Sequence, residues 1–192
     1  MGRPPLVVAP YDAELFGHWW FEGPDFLDVL MRTAAGQGVE TVTLSGYLAA
    51  TPIQPSALPA ESSWGDGGHL GVWLDPSNAS LQPRLRRAGA DMERVARVVA
   101  SEAVSPVVWR AAVQCARELL LAQSSDWPFL IRMRTAEDYA RSRVEEHLRT
   151  FQALADGILG RGGIDGERLR AAESKNPLDS GVDPRLWIPP GD

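Results

Sequence analysis

Apolar residues recur three and four positions apart in three successive stretches between residues 84 and 160, and this spacing limits the fold more than any other feature. Leu85, Ala88, Met92, Val95 and Val99 form the first stripe. Val108, Ala112, Cys115 and Leu119 form the second, behind Ser105 as a cap and Pro106 in the first turn, and the pattern runs out at Ser124-Ser125. The third opens near Thr135, which precedes Asp138 in a capping-box-like arrangement. Ala140, Val144, His147, Phe151, Leu154 and Ile158 mark its buried side, and Gly160 ends it. A helix cannot bury its own apolar stripe, so the three require one another, and the spacing predicts a helical bundle over 84–160. Beyond Gly160 the chain turns rich in Gly, Pro and charge, which predicts an extended tail over 161–192 with Trp187 as its anchor.

Upstream the pattern changes. Leu6-Val7-Val8-Ala9 is a short apolar run of the kind that forms a strand buried on both faces. Gly23-Pro24 then starts a helix carrying Leu27, Leu30, Met31 and Ala34, with Gly36 as its stop, and Glu40-Thr41-Val42-Thr43-Leu44-Ser45 reads as a second strand. The fold class expected is therefore α+β, mostly α. One strand–helix–strand passage cannot satisfy its own ladder hydrogen bonds or close a sheet. Residues 48–80 read as a loop, holding Pro52, Pro55 and Pro59 and then Ser62-Ser63-Trp64-Gly65-Asp66-Gly67-Gly68-His69. So long a connection is either functional or disordered, and Trp64 and Trp73 point to function because disordered linkers seldom carry indoles.

Composition removes several classes of function. With 192 residues, 44% of them hydrophobic, the chain suits one domain or two small ones. A net charge of -6 argues against a nucleic-acid partner, since affinity for phosphate backbones comes largely from basic groups. The arginines of 84–97 and 132–143 are interleaved with acids and read as solvated faces. Cys115 is the only cysteine, which excludes an internal disulfide and suits a reducing, cytoplasmic setting. The first residues pass from Arg3 to Pro4-Pro5 without a signal-peptide core, and no run approaches membrane-spanning length, so no membrane partner is expected. His18, His69 and His147 lack ligand-type spacing, so neither a metal nor any other cofactor is expected. Gly65-Asp66-Gly67-Gly68 has no lysine and no preceding strand, which excludes a phosphate loop, and neither a G-x-S-x-G elbow nor a catalytic-cysteine pattern is present.

Chemistry concentrates in residues 9–24. Asp12 and Glu14 lie two apart, so in a strand both would face one site, and either could donate a proton. Glycoside chemistry needs such a carboxyl and a second one opposite; retaining enzymes hold the two roughly 5–5.5 Å apart. Trp19, Trp20, Trp64 and Trp73 offer flat apolar faces on which the C–H side of a sugar ring can stack. Seven tryptophans, four of them in these Gly-rich contexts, favour a sugar ligand. The Trp19-Trp20 pair would serve equally well as core, and His18 either positions a substrate or fills a hydrogen-bonded niche.

The run Tyr11-Asp12-Ala13-Glu14-Leu15-Phe16-Gly17-His18-Trp19-Trp20-Phe21-Glu22-Gly23-Pro24 resembles the fourth signature region of glycoside hydrolase family 57, in the form found in its 1,4-α-glucan branching enzymes. Ser63-Trp64-Gly65-Asp66-Gly67-Gly68-His69 with Val72-Trp73-Leu74, and Leu121-Ala122-Gln123-Ser124-Ser125-Asp126-Trp127-Pro128-Phe129, are similar to two further stretches of the same enzymes, in the family's order. The resemblance implies a (β/α)7 barrel followed by a helical C-terminal domain. Residues 1–50 would then be the last strand–helix–strand portion of the barrel, 51–83 a Trp/Gly-rich substrate loop and 84–160 the helical domain. It implies Asp12 as the general acid/base, Trp64, Trp73 and Asp126 as glucan-binding residues with His18, Trp19 and Trp20 in the same site, and no catalytic role for Glu14. The implied substrate is an α-1,4-glucan of glycogen or amylose type, cut and passed to a 6-hydroxyl as an α-1,6 branch. The family's glutamate nucleophile belongs to an earlier barrel strand, so the implied partner is an N-terminal barrel portion, in cis or in trans, and this polypeptide alone is expected to be inactive. Two other readings stay open: a non-catalytic α-glucan-binding or interaction module, and a relative of the α-amylases or 4-α-glucanotransferases.

Overall fold

Helices α3 (Leu81–Ser101), α4 (Pro106–Ala122) and α6 (Glu137–Ile158) form where the three stripes place them. They belong to a computed structural model that describes residues 5–101, 103–178 and 181–190 and divides into two compact units, Met1–Leu58 and Pro59–Asp192. In the second unit α4 packs on both α3 and α6, and their stripes meet in one core of Met92, Val95, Cys115, Leu119, Val144, Phe151 and Leu154. Each such side chain contributes about 1.5–3 kcal/mol on leaving water. Fully buried Ala111, Ala112, Ala116, Ala140 and Ala155 let the helix backbones approach closely.

Two helix starts differ from the expected caps. Ser105 occupies the N-cap of α4 but its side chain makes no capping bond, and Pro106 alone supplies the start. α6 begins at Glu137 behind Ala136, so Thr135 lies one position too early to cap it, and the capping box with Asp138 does not form.

The tail is not extended throughout. Residues 166–175 form α7 (Gly166–Lys175), capped by Asp165, whose Oδ1 accepts from Glu167 N at 2.9 Å and Arg168 N at 3.1 Å. Leu169 and Ala172 seat it against α4. The short turn Pro184–Trp187 then lies on α3 and α4, with Trp187 half-buried against the core and the Arg185 guanidinium 5.4 Å from the ring centre of Trp109.

A buried polar cluster ties α4, α6 and the end of α7 together. Glu118 and His147 are both fully buried. A guanidinium can only donate, so His147 Nε2 accepts from Arg143 at 3.1 Å and its Nδ1–H donates to Glu118 Oε2 at 2.7 Å. Glu118 Oε1 takes bonds from Gln114 at 2.8 Å and Asn176 at 2.9 Å, so both carboxylate oxygens are satisfied. His147, read from the sequence as one more member of the apolar stripe, is therefore the hub of a hydrogen-bonded network.

In the first unit α1 (Gly23–Thr33) forms with Pro24 in its first turn as expected, but it ends at Thr33, before Gly36, and a 3₁₀ turn Ala35–Gln37 follows, closed by Gly38 at φ 76°. Neither expected strand is present: among the described residues there is no ladder, only an isolated bridge between Phe16 and Trp20. Residues 6–9 carry exposed side chains and no pairing partner. The second candidate strand is interrupted by Thr43, whose hydroxyl accepts from Gly46 N at 3.0 Å and caps α2 (Leu44–Ala50). The described fold is thus mostly helical, and the strand–helix–strand portion of a barrel is not seen in it. No helix among the described residues is long and apolar enough to cross a membrane.

Candidate functional site

Trp73 is the side chain around which the second unit's candidate site is built. Its indole N–H donates to the Ser125 carbonyl at 3.1 Å, across the join between the 59–80 loop and α5 (Asp126–Met133). Sequence reasoning missed α5 because Ser125-Asp126-Trp127-Pro128 has the composition of a turn. In the structure Pro128 sits within the first helical turn, where its missing N–H has no intrahelical partner to lose. Trp127 then fixes the helix by donating to Leu121 O at 2.6 Å and packing edge-on against Tyr139.

Three polar links hold the loop to α5. Asn78, fully buried, donates from Nδ2 to Val72 O at 3.0 Å and to Pro128 O at 3.1 Å. Asp75 Oδ1 accepts from the Ser77 hydroxyl at 2.7 Å and the Ser77 N–H at 2.9 Å, and its Oδ2 pairs with Arg132 at 2.8 Å. These bonds, the Ser77 hydroxyl first, then the Ser77 N–H, with Arg132 adding to them, hold the Asp75 carboxyl below its ordinary value. The third link is Trp73 itself. Asp75, Asn78 and Arg132 were not singled out from sequence; Asp75-Pro76-Ser77-Asn78 is a turn-forming string that announces a tight bend but not what it grips.

The tip of the loop is a closed turn. Ser63 N donates to Gly68 O and Gly68 N to Gly65 O, both at 2.8 Å, while the Ser63 hydroxyl donates to His69 O. Gly67 and Gly68 sit at φ 72° and 73°, which only glycine adopts without strain. Trp64 stands out of this turn with 78% of its surface exposed. Gly65 beneath it is bare because a Cβ there would lie 2.5 Å from Cζ3 of Trp73. Asp126, also exposed, accepts from the Ser124 hydroxyl at 2.7 Å. The loop therefore brings Trp73 onto Ser125, the residue before Asp126, with exposed Trp64 at its tip. An aromatic face next to a carboxylate open to solvent can stack a pyranose ring and accept from its hydroxyls.

The remaining sequence candidates lie in the first unit. Asp12 is exposed, but it is not in a strand: Leu15 N donates to Asp12 O at 3.1 Å and Phe16 N to Ala13 O at 3.3 Å, so residues 12–16 turn. The expectation that Asp12 and Glu14 face one site by strand alternation is corrected by that turn. A π-type turn, Leu15–Trp19, follows, with Gly17 at φ 98°. Trp20 packs its ring 4.9 Å from Phe26 and 5.9 Å from Phe16 between centres, while Trp19 is 72% exposed with the His18 ring tilted against it, centres 5.0 Å apart. The consecutive tryptophans thus divide between a packing role and a surface one.

Residues 84–187 match the family described as "1,4-alpha-glucan branching enzyme, C-terminal". The chain belongs to that family. The match is to the C-terminal portion of branching enzymes, and the similar solved structures include branching enzymes of glycoside hydrolase family 57. The 1,4-alpha-glucan branching enzyme of Thermococcus kodakarensis is 38% identical over 159 residues, which is 82% of this chain and 23% of that protein. Among solved structures, the GH57-type branching enzyme of Pyrococcus horikoshii superposes with a TM-score of 0.74 at 34% identity, covering 96% of this chain and 35% of that one. The alpha-amylase AmyC of Thermotoga maritima superposes with a TM-score of 0.67 at 35% identity, covering 98% and 34%. The chain therefore spans about a quarter to a third of the length of the relatives it matches.

Proposed function

We propose that these residues form the part of a 1,4-α-glucan branching enzyme that grips the glucan and carries one of its two catalytic carboxylates. The observation that carries the reading is the Trp73–Ser125 hydrogen bond, which ties an aromatic loop to the residue preceding exposed Asp126 in a domain of the branching-enzyme family. In the second unit Trp64, Trp73 and Asp126 bind the α-1,4-linked chain; in the first unit exposed Trp19 and His18 are the glucan-contacting candidates, with Trp20 packed behind them on Phe16 and Phe26. Asp12 protonates the oxygen of the scissile α-1,4 bond and afterwards takes the proton from the acceptor 6-hydroxyl, giving an α-1,6 branch with retained configuration. Residues 1–50 are the end of the catalytic barrel and 51–83 its substrate loop. The nucleophilic carboxylate has no counterpart in these 192 residues by the family pattern, so turnover requires the rest of the barrel.

Incubation with amylose, read by proton NMR for α-1,6 anomeric signals, tests the reading. The chain alone should leave amylose unbranched, co-expression with the barrel portion of a branching enzyme should give branches, and Asp12→Asn should abolish them. Branching by the isolated chain, or by the Asp12→Asn combination, would contradict the assignment. The alpha-amylase superposition favours one second reading, hydrolysis; new reducing ends without α-1,6 signals would establish it instead.

A further inference from the structure

Away from the tryptophan loop, the second unit holds a groove between α3 and α6, with Arg168 of α7 also in its lining and a volume of about 560 Å³. That falls in the range of small-ligand sites, roughly 300–1,000 Å³. Its floor is apolar, made by Ala88, Leu148 and Phe151 of the core. Its walls carry guanidiniums from all three helices: Arg84 and Arg87 on α3, Arg149 on α6 and Arg168 on α7.

The two carboxylates in the lining are already engaged. Glu145 pairs with Arg84 at 2.5 Å. Asp156 pairs with Arg161 and takes a bond from Gln152, both at 3.0 Å. Arg87, Arg149 and Arg168 hold no side-chain acceptor among the described residues. A chain of net charge -6 thus collects Arg87 and Arg149, with no such acceptor, and Arg168, whose only carboxylate neighbour by charge among the described residues is Asp165 at the start of its own helix, around one concave, part-apolar surface. A solvated helix face disperses its charge or pairs it at i,i+4, as Arg97 does with Glu93 and Arg141 with Glu137. Convergence of unpaired guanidiniums from separate helices is instead the arrangement that binds phosphoryl oxygens in bidentate fashion.

We propose that this groove is a binding site for a small phosphorylated ligand, its phosphoryl group held by Arg87, Arg149 and Arg168 and its body lying on Leu148 and Phe151. The Gln152 amide N–H is committed to Asp156, which leaves its carbonyl oxygen to accept from a hydroxyl of the ligand. The site is separate in composition from the glucan cluster and shares no residue with it.

Calorimetric titration of the full chain at low ionic strength tests the proposal, with three probes: glucose 6-phosphate, inorganic pyrophosphate and uncharged maltose. The expected result is saturable 1:1 binding of a phosphorylated probe, weakened about tenfold or more by Arg87→Ala/Arg149→Ala and reduced by added salt. Tighter binding of the hexose phosphate than of pyrophosphate identifies a sugar-borne phosphoryl group, and the reverse order a diphosphate. Arg170→Ala, an exposed arginine outside the groove, should bind as the parent chain does, and the thermal unfolding of the double variant should match the parent. Absence of saturable binding, binding that survives the double substitution, or equal weakening by Arg170→Ala would overturn the proposal.

Discussion

Gly65 shows how one missing side chain can shape the site. A methyl group there would meet the six-membered ring of Trp73, and the ring cannot yield without breaking its hydrogen bond to Ser125. Gly65→Ala is expected to shift tryptophan emission to longer wavelength and to weaken maltoheptaose binding about five- to tenfold, roughly 1–1.4 kcal/mol, with little loss of thermal stability. Glu118 presents the opposite case, a residue whose work is entirely structural. Glu118→Ala leaves His147 Nδ1–H, Gln114 and Asn176 without their acceptor inside a sealed core, which costs about 3–5 kcal/mol in denaturant unfolding. Replacing the pair together, Glu118→Met with His147→Leu, should recover part of that loss because the imidazole N–H is then no longer buried without an acceptor. Cys115 lies against the same cluster, its thiol pushed far up by burial and then by the Glu118 charge, so it should resist thiol reagents until the chain unfolds.

At the scale of the helix, Gly157 of α6 is the sharpest test of packing. A Cβ there would lie 2.6 Å from the Gly163 carbonyl oxygen, a backbone atom that cannot swing aside, so Gly157→Ala should destabilise the domain by about 1–3 kcal/mol and loosen the connection into α7. Long helices were legible in the sequence because their stripes are long: Met92, Val95, Cys115, Leu119, Val144 and Phe151 repeat over four to six turns and all reach the core. α5 and α7 were not, since eight and ten residues offer too few repeats and Pro128 and Gly166 look like breakers. The apolar runs at 6–9 and 40–45 mislead for a different reason. Strand propensity acts only through a neighbouring strand, and the described residues supply none, so Thr43 caps a helix instead. In the candidate site, Trp64 and Trp73 were visible as residue types in unusual company, and Asp126 through the family resemblance alone. The braces Asp75, Asn78 and Arg132 were not, because their meaning depends on contacts about fifty residues apart.

Across the whole molecule, acid stability follows from carboxylates held ionised. Glu146 lies below its ordinary 4.5 chiefly through Lys175, while Asp165 lies below 3.8 through the N–H groups of Arg168 and Glu167, and Asp183 below 3.8 through the Arg185 side chain. A carboxyl depressed in the folded state stabilises the fold fully above its unfolded value and loses that contribution as pH falls through its folded value. Melting temperature should therefore be flat from pH 8 to about pH 5 and drop steeply below about pH 4. Asp165→Asn, which keeps a cap without a charge, should make the drop shallower. The most direct question about function is whether the Trp64–Trp73–Asp126 cluster recognises α-glucan at all, and titration of the full chain with maltoheptaose, followed by tryptophan fluorescence, answers it. Saturable quenching that is lost in both Trp64→Ala and Trp73→Ala, and that cellohexaose does not reproduce, is the predicted result; quenching that persists in both variants, or none at any concentration, would contradict it.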